Sequence, residues 1–174
     1  MVAEQGGARD LRAPVARQAA RVLLFDAQGR ILLLEGHDPA HLDRHWWFTP
    51  GGGLEDGESH REAALRELTE ETGFEVFDAD LIGPVWERLA VFDFMDTPYL
   101  QHEQFFVAHL GADAQAGEPA WAPSEVDTLD TTRWLTRAEL ASVAIEVFPQ
   151  QLSELLDTVT PWDGVLRHLG EEHA

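Results

Sequence analysis

Short apolar runs separated by polar turns predict that strands dominate this chain. The run RQAARVLLF begins at Arg17 and leads into a polar turn at residues 26–30, and ILLLE follows, which is the pattern of strand, tight turn and strand. Further strands are expected in the aromatic run WWFTP, between residues 74 and 94, in QHEQFFVAHL and in TRWL. The polar or glycine-rich stretches GHDPAHLDRH, GGGLEDGES and residues 111–124 are expected to be loops.

One helix has both of its ends marked in the sequence. Ser59 and Glu62 have the spacing of a capping box, in which each side chain accepts a hydrogen bond from the backbone of the other residue. Gly73 stands where a left-handed glycine commonly ends a helix. We therefore expect a helix over residues 60–72.

Two further helices and the fold class follow from the rest of the pattern. Thr136 and Glu139 form a second capping box, which predicts a helix to about residue 143, and Pro149 suits the first turn of a last helix through QQLSELLDTV. Strands and helices mix without a regular βαβ alternation, which favours α+β layers over a doubly wound sheet. The expected division of the chain is a flexible N-terminal arm, one domain and a C-terminal tail, at residues 1–15, 16–160 and 161–174.

Composition and charge exclude several classes of function. The 174 residues include no cysteine, which excludes disulfides, thiolate zinc sites and a cysteine nucleophile. All 12 basic residues are arginine, so chemistry that needs lysine is excluded as well. A net charge of -20 repels duplex nucleic acid and anionic membranes, and no apolar run is long enough to span a bilayer. We expect a cytoplasmic protein with no duplex nucleic acid or membrane as partner, and the sequence leaves a homodimer open.

Three glutamates of the expected helix give the chain its most specific chemical signal. Glu67, Glu70 and Glu71 fall on one arc of about 100° beside an apolar stripe, at a spacing where like charges repel. Such a patch suits a hard divalent cation, although a solvated acidic face in an acidic protein would have the same pattern. The preceding Gly51–Gly53 lets the backbone approach a ligand closely and offers free carbonyl oxygens. Together, helix and loop indicate a diphosphate site.

These residues belong to a longer pattern that resembles a known family. The pattern is G-x5-E-x7-R-E-U-x-E-E-x-G-U, with U apolar, which is the Nudix box. The chain matches every defined position, namely Gly52, Glu58, Arg66, Glu67, Leu68, Glu70, Glu71, Gly73 and Phe74. The resemblance implies an α/β/α sandwich around a mixed sheet, and a pyrophosphohydrolase that cleaves the diphosphate of a nucleoside-diphosphate-X type small molecule with Mg²⁺ or Mn²⁺.

The resemblance also assigns roles to individual residues. It implies that the metal ligands, which are also the catalytic carboxylates, are Glu67, Glu70 and Glu71, with the backbone carbonyl of Gly51 beside them. Gly52, Glu58, Arg66 and Gly73 would support the site, with Glu58 and Arg66 joined in an ion pair. The general base would be Glu67 or a glutamate of a later loop, for which the options are Glu103, Glu118 and Glu125. A Nudix domain that binds nucleotides without turnover is the alternative function, which degenerate box glutamates would favour.

Two other groups of residues bear on binding. His37, His41 and His45 recur every four residues, which on a helix would form one metal-binding face, but Pro39 interrupts them and no histidine site is expected. In the run Trp46-Trp47-Phe48 a tryptophan could stack on a nucleobase, but successive strand residues alternate faces, so at least one of these side chains is expected in the core. Signatures of the family's substrate groups outside the box are absent, and the sequence does not specify the substrate.

Overall fold

The computed structural model describes residues 13–174, so most of the expected N-terminal arm lies outside the described residues. The strands of this part are β1 Val15–Phe25, β2 Ile31–Asp38, β3 His41–Phe48, β4 Gly51–Gly53, β5 Ile82–Phe94, β6 Thr97–His109, β7 Leu129–Leu135, β8 Glu146–Phe148 and β9 Arg167–His173. The helices are α1 His60–Thr72, α2 Pro123–Val126, α3 Arg137–Ala141 and α4 Leu152–Leu155, with 3₁₀ turns at Asp78–Asp80 and Leu156–Thr158.

The strands form one mixed sheet. Its order is β8-β3-β2-β1-β6-β5-β9, with β4 paired to β1 and β7 paired to β2. The pairs β1–β6, β3–β8 and β5–β9 are parallel, and the other pairs are antiparallel. Next to their turn, β1 and β2 pair with each other at Phe25 and Ile31. Farther along, β1 pairs with β4 and β2 pairs with β7.

The apolar core lies on both sides of the sheet. Val22 of β1 belongs to the cluster that packs on α1 through Ala63 and Ala64, whereas its neighbour Leu23 belongs to the cluster covered by α3 and α4. Alternation along the strand therefore feeds two helical layers. This arrangement confirms the expected α/β/α sandwich. Between residues 13 and 174, no helix is long and apolar enough to cross a bilayer.

Local signals predicted α1 and the first two strands correctly. The hydroxyl of Ser59 accepts from the backbone N–H of Glu62, whose carboxylate accepts from Ser59 in return. At the other end Gly73 has φ 72°, in the left-handed region that glycine adopts without a steric penalty. The turn between β1 and β2 is also as expected, because the Asp26 carboxylate accepts from two backbone N–H groups within it.

Four expectations were wrong or incomplete. Residues 36–45, expected as a loop, form the tip of the β2–β3 hairpin, where polar side chains are tolerated because the strands are partly exposed. Gly51–Gly53 forms the short strand β4 on the edge of β1. The last helix is only Leu152–Leu155, followed by a 3₁₀ turn. The expected C-terminal tail contains β9, a polar strand that pairs with β5.

Candidate active site

Helix α1 buries two of its three clustered carboxylates against β4. Glu67 and Glu71 are 7% and 3% exposed, whereas the side chain of Glu70 is 41% exposed. The backbone N–H of Gly51 donates to Glu71 Oε2 at 2.6 Å. A Cβ on Gly52 would lie 2.6 Å from Glu67 Oε1, so the absence of a side chain there makes room for that carboxylate. The glycines of β4 thus allow two acidic side chains to lie beneath the backbone.

A third carboxylate reaches this place from outside the helix. One oxygen from each of Glu67, Glu71 and Glu125 lies within 4.8 Å of the others. Glu125 lies in α2, more than 50 residues later in the chain, and its Oε2 accepts from the backbone N–H of Ala122 at 2.6 Å. Glu70 is not a member of this carboxylate cluster, which we define as Glu67, Glu71 and Glu125.

The loop before α2 is attached to the C-terminal end of α1. The carbonyl oxygen of Glu71 accepts from the indole Nε1 of Trp121 at 2.9 Å, and that of Glu70 accepts from the N–H of Ala120 at 2.7 Å. These carbonyls have no partner within the helix, so the loop supplies the hydrogen bonds that a helix end lacks. The same contacts bring Glu125 to the buried face of α1.

The electrostatics of the carboxylate cluster favour a bound cation. Burial raises the pKa of Glu71 well above its ordinary value, and the neighbouring Glu67 and Glu125 raise it further. The N–H of Gly51 and the charge of Arg21 lower this pKa, but by less. Burial also raises the pKa of Glu67, although Arg66 acts against it. Within the described residues Glu71 forms no ion pair. Three oxygen donors that are costly to ionise together match the preference of a hard divalent cation.

Arg66 connects the helix to the loop in front of it. Its Nε and Nη2 each lie 2.8 Å from an oxygen of Glu58, which is the ion pair that the family resemblance implied, and this contact lowers the pKa of Glu58. Nη2 also donates to the Gly53 carbonyl at 3.0 Å, and Nη1 donates to Glu67 at 2.9 Å and to Glu70 at 3.1 Å. Arg66 therefore contacts three of the four box glutamates, Glu58, Glu67 and Glu70.

Glu103 is buried in a separate ion-pair network. Arg21 Nε lies 3.0 Å from Oε1, and Arg88 Nε lies 2.5 Å from Oε2. Burial alone would raise the pKa of Glu103, but these guanidinium groups lower it to about 2. Arg21 Nη1 also donates at 2.6 Å to the carbonyl of Gly51, the atom expected to ligate metal. Of the three later glutamates, Glu125 alone joins the carboxylate cluster, because Glu118 is exposed in its loop.

A cleft adjoins this network and is lined by arginine and aromatic side chains. Its lining includes the basic residues Arg17, Arg21, Arg44 and Arg88, the aromatic residues Trp46, Phe48, Phe92, Phe94 and Phe148, the acidic residues Asp93, Glu103 and Glu172, and His37. The Arg44 guanidinium lies 5.5 Å from the Trp46 ring centre, within range of a cation–π contact. Trp47 is in the core, as expected for one of the two tryptophans. Sequence reasoning missed the arginines, since they lie on three separate strands and carry no motif.

Comparison with known proteins identifies the family. Residues 15–162 match the model of the NUDIX domain, and the chain belongs to this family. It is 40% identical over 82 residues to an RNA pyrophosphohydrolase of Dinoroseobacter shibae, covering 44% of this chain and 48% of that protein. A putative 8-oxo-dGTP diphosphatase of Bacillus subtilis is 36% identical over 101 residues, covering 57% of this chain and 58% of that protein. The chain thus matches about half the length of these relatives.

A solved structure shares the fold. The MutT protein of Methanosarcina mazei Go1 superimposes with a TM-score of 0.58 at 18% identity, covering 85% of this chain and 97% of that protein. This likeness concerns the arrangement of sheet and helices, which confirms the fold that the box resemblance implied.

Proposed function

We propose that the chain is a metal-dependent pyrophosphohydrolase that cleaves the diphosphate of a nucleoside-diphosphate-X type small molecule. The observation that carries this proposal is the convergence of Glu67, Glu71 and Glu125 next to an arginine-lined cleft. Membership of the Nudix family and the names of the two relatives support the reaction class. The donors are all carboxylate oxygens, which favours Mg²⁺ or Mn²⁺ over softer metals.

The buried carboxylates are the proposed metal ligands. Glu67 is held by Arg66 and Glu71 by the N–H of Gly51, and the half-buried Glu125 of α2 lies beside them. Glu70 stays a candidate ligand through its place in the box, although it is paired with Arg66. A bound divalent ion would neutralise phosphate oxygens and lower the pKa of the attacking water.

The protein's own carboxylates must also accept a proton. A general base has to lie within hydrogen-bonding reach of the water, directly or through one further water. Glu125 belongs to the carboxylate cluster but comes from a different element, so we assign it this role and keep Glu67 and Glu71 as ligands. Glu103 is a poor candidate, because two arginines hold its pKa at about 2 and a weak base accepts a proton poorly at neutral pH.

The cleft concentrates arginines in a molecule that is acidic overall, although Asp93, Glu103 and Glu172 also line it. With a net charge of -20, the protein as a whole repels anions, so arginines have to provide local attraction for a diphosphate. Two of these arginines lie over aromatic rings, Arg44 over Trp46 and Arg17 over Tyr99. We assign Trp46 as the surface on which a nucleobase stacks.

The test is a panel of substrates assayed with Mg²⁺ and with Mn²⁺, scored by phosphate release after a coupled phosphatase. The panel should contain nucleoside diphosphate derivatives, 8-oxo-dGTP and 5′-triphosphorylated RNA, because the names of the relatives cover the last two. We expect turnover of a small nucleotide that stops in EDTA and returns with added metal. Nucleotides that raise the melting temperature without being cleaved would instead support the alternative, a binding module.

A further inference from the structure

Two histidines face each other on the β2–β3 hairpin. His37 of β2 is paired directly with His45 of β3, and their ring centres are 5.5 Å apart. Asp130 reaches them from β7, on the other side of β2. Glu35 pairs with Thr131 and the next residue of β2 pairs with Leu129, so Asp130 is the extra residue of a β-bulge, a device that re-aims a side chain. Each of these three strands thus contributes one side chain that can bind a metal.

The ligand atoms of these residues are close enough to share one ion. His37 Nδ1 lies 3.0 Å from both carboxylate oxygens of Asp130, and His45 Nδ1 lies 3.4 Å from Asp130 Oδ2. One such atom from each of the three residues lies within 4.8 Å of the other two. A tetrahedral zinc ion with bonds of about 2.1 Å separates its ligands by roughly 3.4 Å. Small rotations of these side chains would therefore bring their ligand atoms to the spacing of a tetrahedral zinc site.

One ring nitrogen of His45 has a hydrogen-bond partner, and the other has none among the described residues. Its Nε2 lies 3.2 Å from the carbonyl oxygen of Leu42, and since a carbonyl only accepts, Nε2 carries the proton. The other ring nitrogen, Nδ1, is buried without a hydrogen bond in the described part of the chain. It faces the carboxylates of Asp130, at 3.4 Å, and of Glu35, at 3.8 Å. A metal ion bound between Nδ1 and these carboxylates would satisfy all of these buried polar atoms.

We propose that His37, His45 and Asp130 form a binding site for a divalent transition metal such as Zn²⁺, separate from the carboxylate cluster. Two imidazoles and a carboxylate are a ligand set that suits zinc and its neighbours better than Mg²⁺. The hydrogen bond from His45 Nε2 to a backbone carbonyl is the outer contact that metal-bound histidines usually make. Glu35 is the nearest additional carboxylate. A bound ion would join β7 to the β2–β3 hairpin.

The test measures binding of Zn²⁺ alone, with millimolar Mg²⁺ present to occupy oxygen-only sites. Isothermal titration should compare the wild type with His45→Gln and Asp130→Asn, each a near-isosteric loss of one ligand. His41→Gln is the matched control, since His41 lies on the same hairpin but pairs with Asp38. X-ray absorption of the zinc-loaded wild type reports the ligand atoms, and melting curves without zinc show whether each variant folds.

We expect one Zn²⁺ per chain, an absorption spectrum with two imidazole ligands, and affinity at least about tenfold weaker in both ligand variants but not in His41→Gln. Equal zinc affinity in the wild type and His45→Gln would overturn the proposal. So would a spectrum without imidazole, or a wild type that binds no zinc. The wild-type spectrum decides the matter even if a variant fails to fold.

Discussion

Glu71 illustrates at the level of one residue why we propose a cation at this site. Its side chain is buried, the one hydrogen bond that this carboxylate accepts from the described residues comes from the N–H of Gly51 at 2.6 Å, and two other carboxylates lie nearby. Arg66 contacts Glu67 and Glu70 but reaches Glu71 with no hydrogen bond among the described residues. Burial of this carboxylate without a positively charged partner costs free energy of folding. A glutamate that served only stability would not be placed there, so we attribute Glu71 to function.

Glu125 and Glu118 form a matched pair for testing the proposed base. Both lie in the segment between β6 and β7, but Glu125 alone belongs to the carboxylate cluster. At saturating metal, Glu125→Gln is expected to lower kcat by about 10²–10⁴-fold, since the variant cannot accept a proton. Glu118→Gln should retain the wild-type rate. Full recovery of Glu125→Gln at high Mn²⁺ would show a ligand role instead.

Glu103 should make stability depend on acid pH. Its folded pKa of about 2 lies below the ordinary value of 4.5, so the ionised form stabilises the fold. This contribution is complete above about pH 5 and is lost as the pH falls toward 2. At pH 7 we expect Glu103→Gln to lower the free energy of unfolding by about 3 kcal/mol. Urea unfolding of both proteins at several pH values should show the difference shrinking in acid. A difference independent of pH would contradict the account.

At the level of elements, strand β4 and helix α1 form one unit in which a missing side chain creates the site. We expect Gly52→Ala to displace the Glu67 carboxylate, because the new Cβ would lie 2.6 Å from its Oε1. Gly53→Ala is the control, since the nearest atom there, the Gln18 carbonyl oxygen, is 3.8 Å away. Metal affinity measured by titration should fall in the first variant only. Equal affinity in both variants would show that Glu67 is not held by this contact.

Elements with local signals were predictable from the sequence, and those that depend on distant pairing were not. Helix α1 has its capping box, its terminal glycine and its glutamates within 15 consecutive residues, so its bounds and chemistry follow from the sequence. Glu125 reaches the site only through hydrogen bonds between its loop and the end of α1. Likewise, His37 meets His45 through strand register, and a prediction based on helical spacing could not find that contact.

On the scale of the whole molecule, arginines are concentrated at one cleft of an acidic protein. The chain has a net charge of -20, yet four of its 12 arginines line this cleft. The carboxylate cluster lies near the end of this cleft, because Arg21 lines the cleft and also contacts Gly51, whose N–H contacts Glu71. In the function we propose, an anionic substrate and a divalent cation would therefore lie in adjacent places, which is the arrangement that phosphoryl chemistry requires.

The most direct test of the metal centre is a Mn²⁺ titration of the wild type and Glu71→Gln, with free Mn²⁺ counted by electron paramagnetic resonance. Glutamine keeps an oxygen that can accept from the N–H of Gly51, so the variant should fold. The histidine site is identical in both proteins, and any difference in binding therefore belongs to Glu71. The account predicts that the wild type binds Mn²⁺ at least about tenfold more tightly than the variant. Equal affinity in two folded proteins would contradict it.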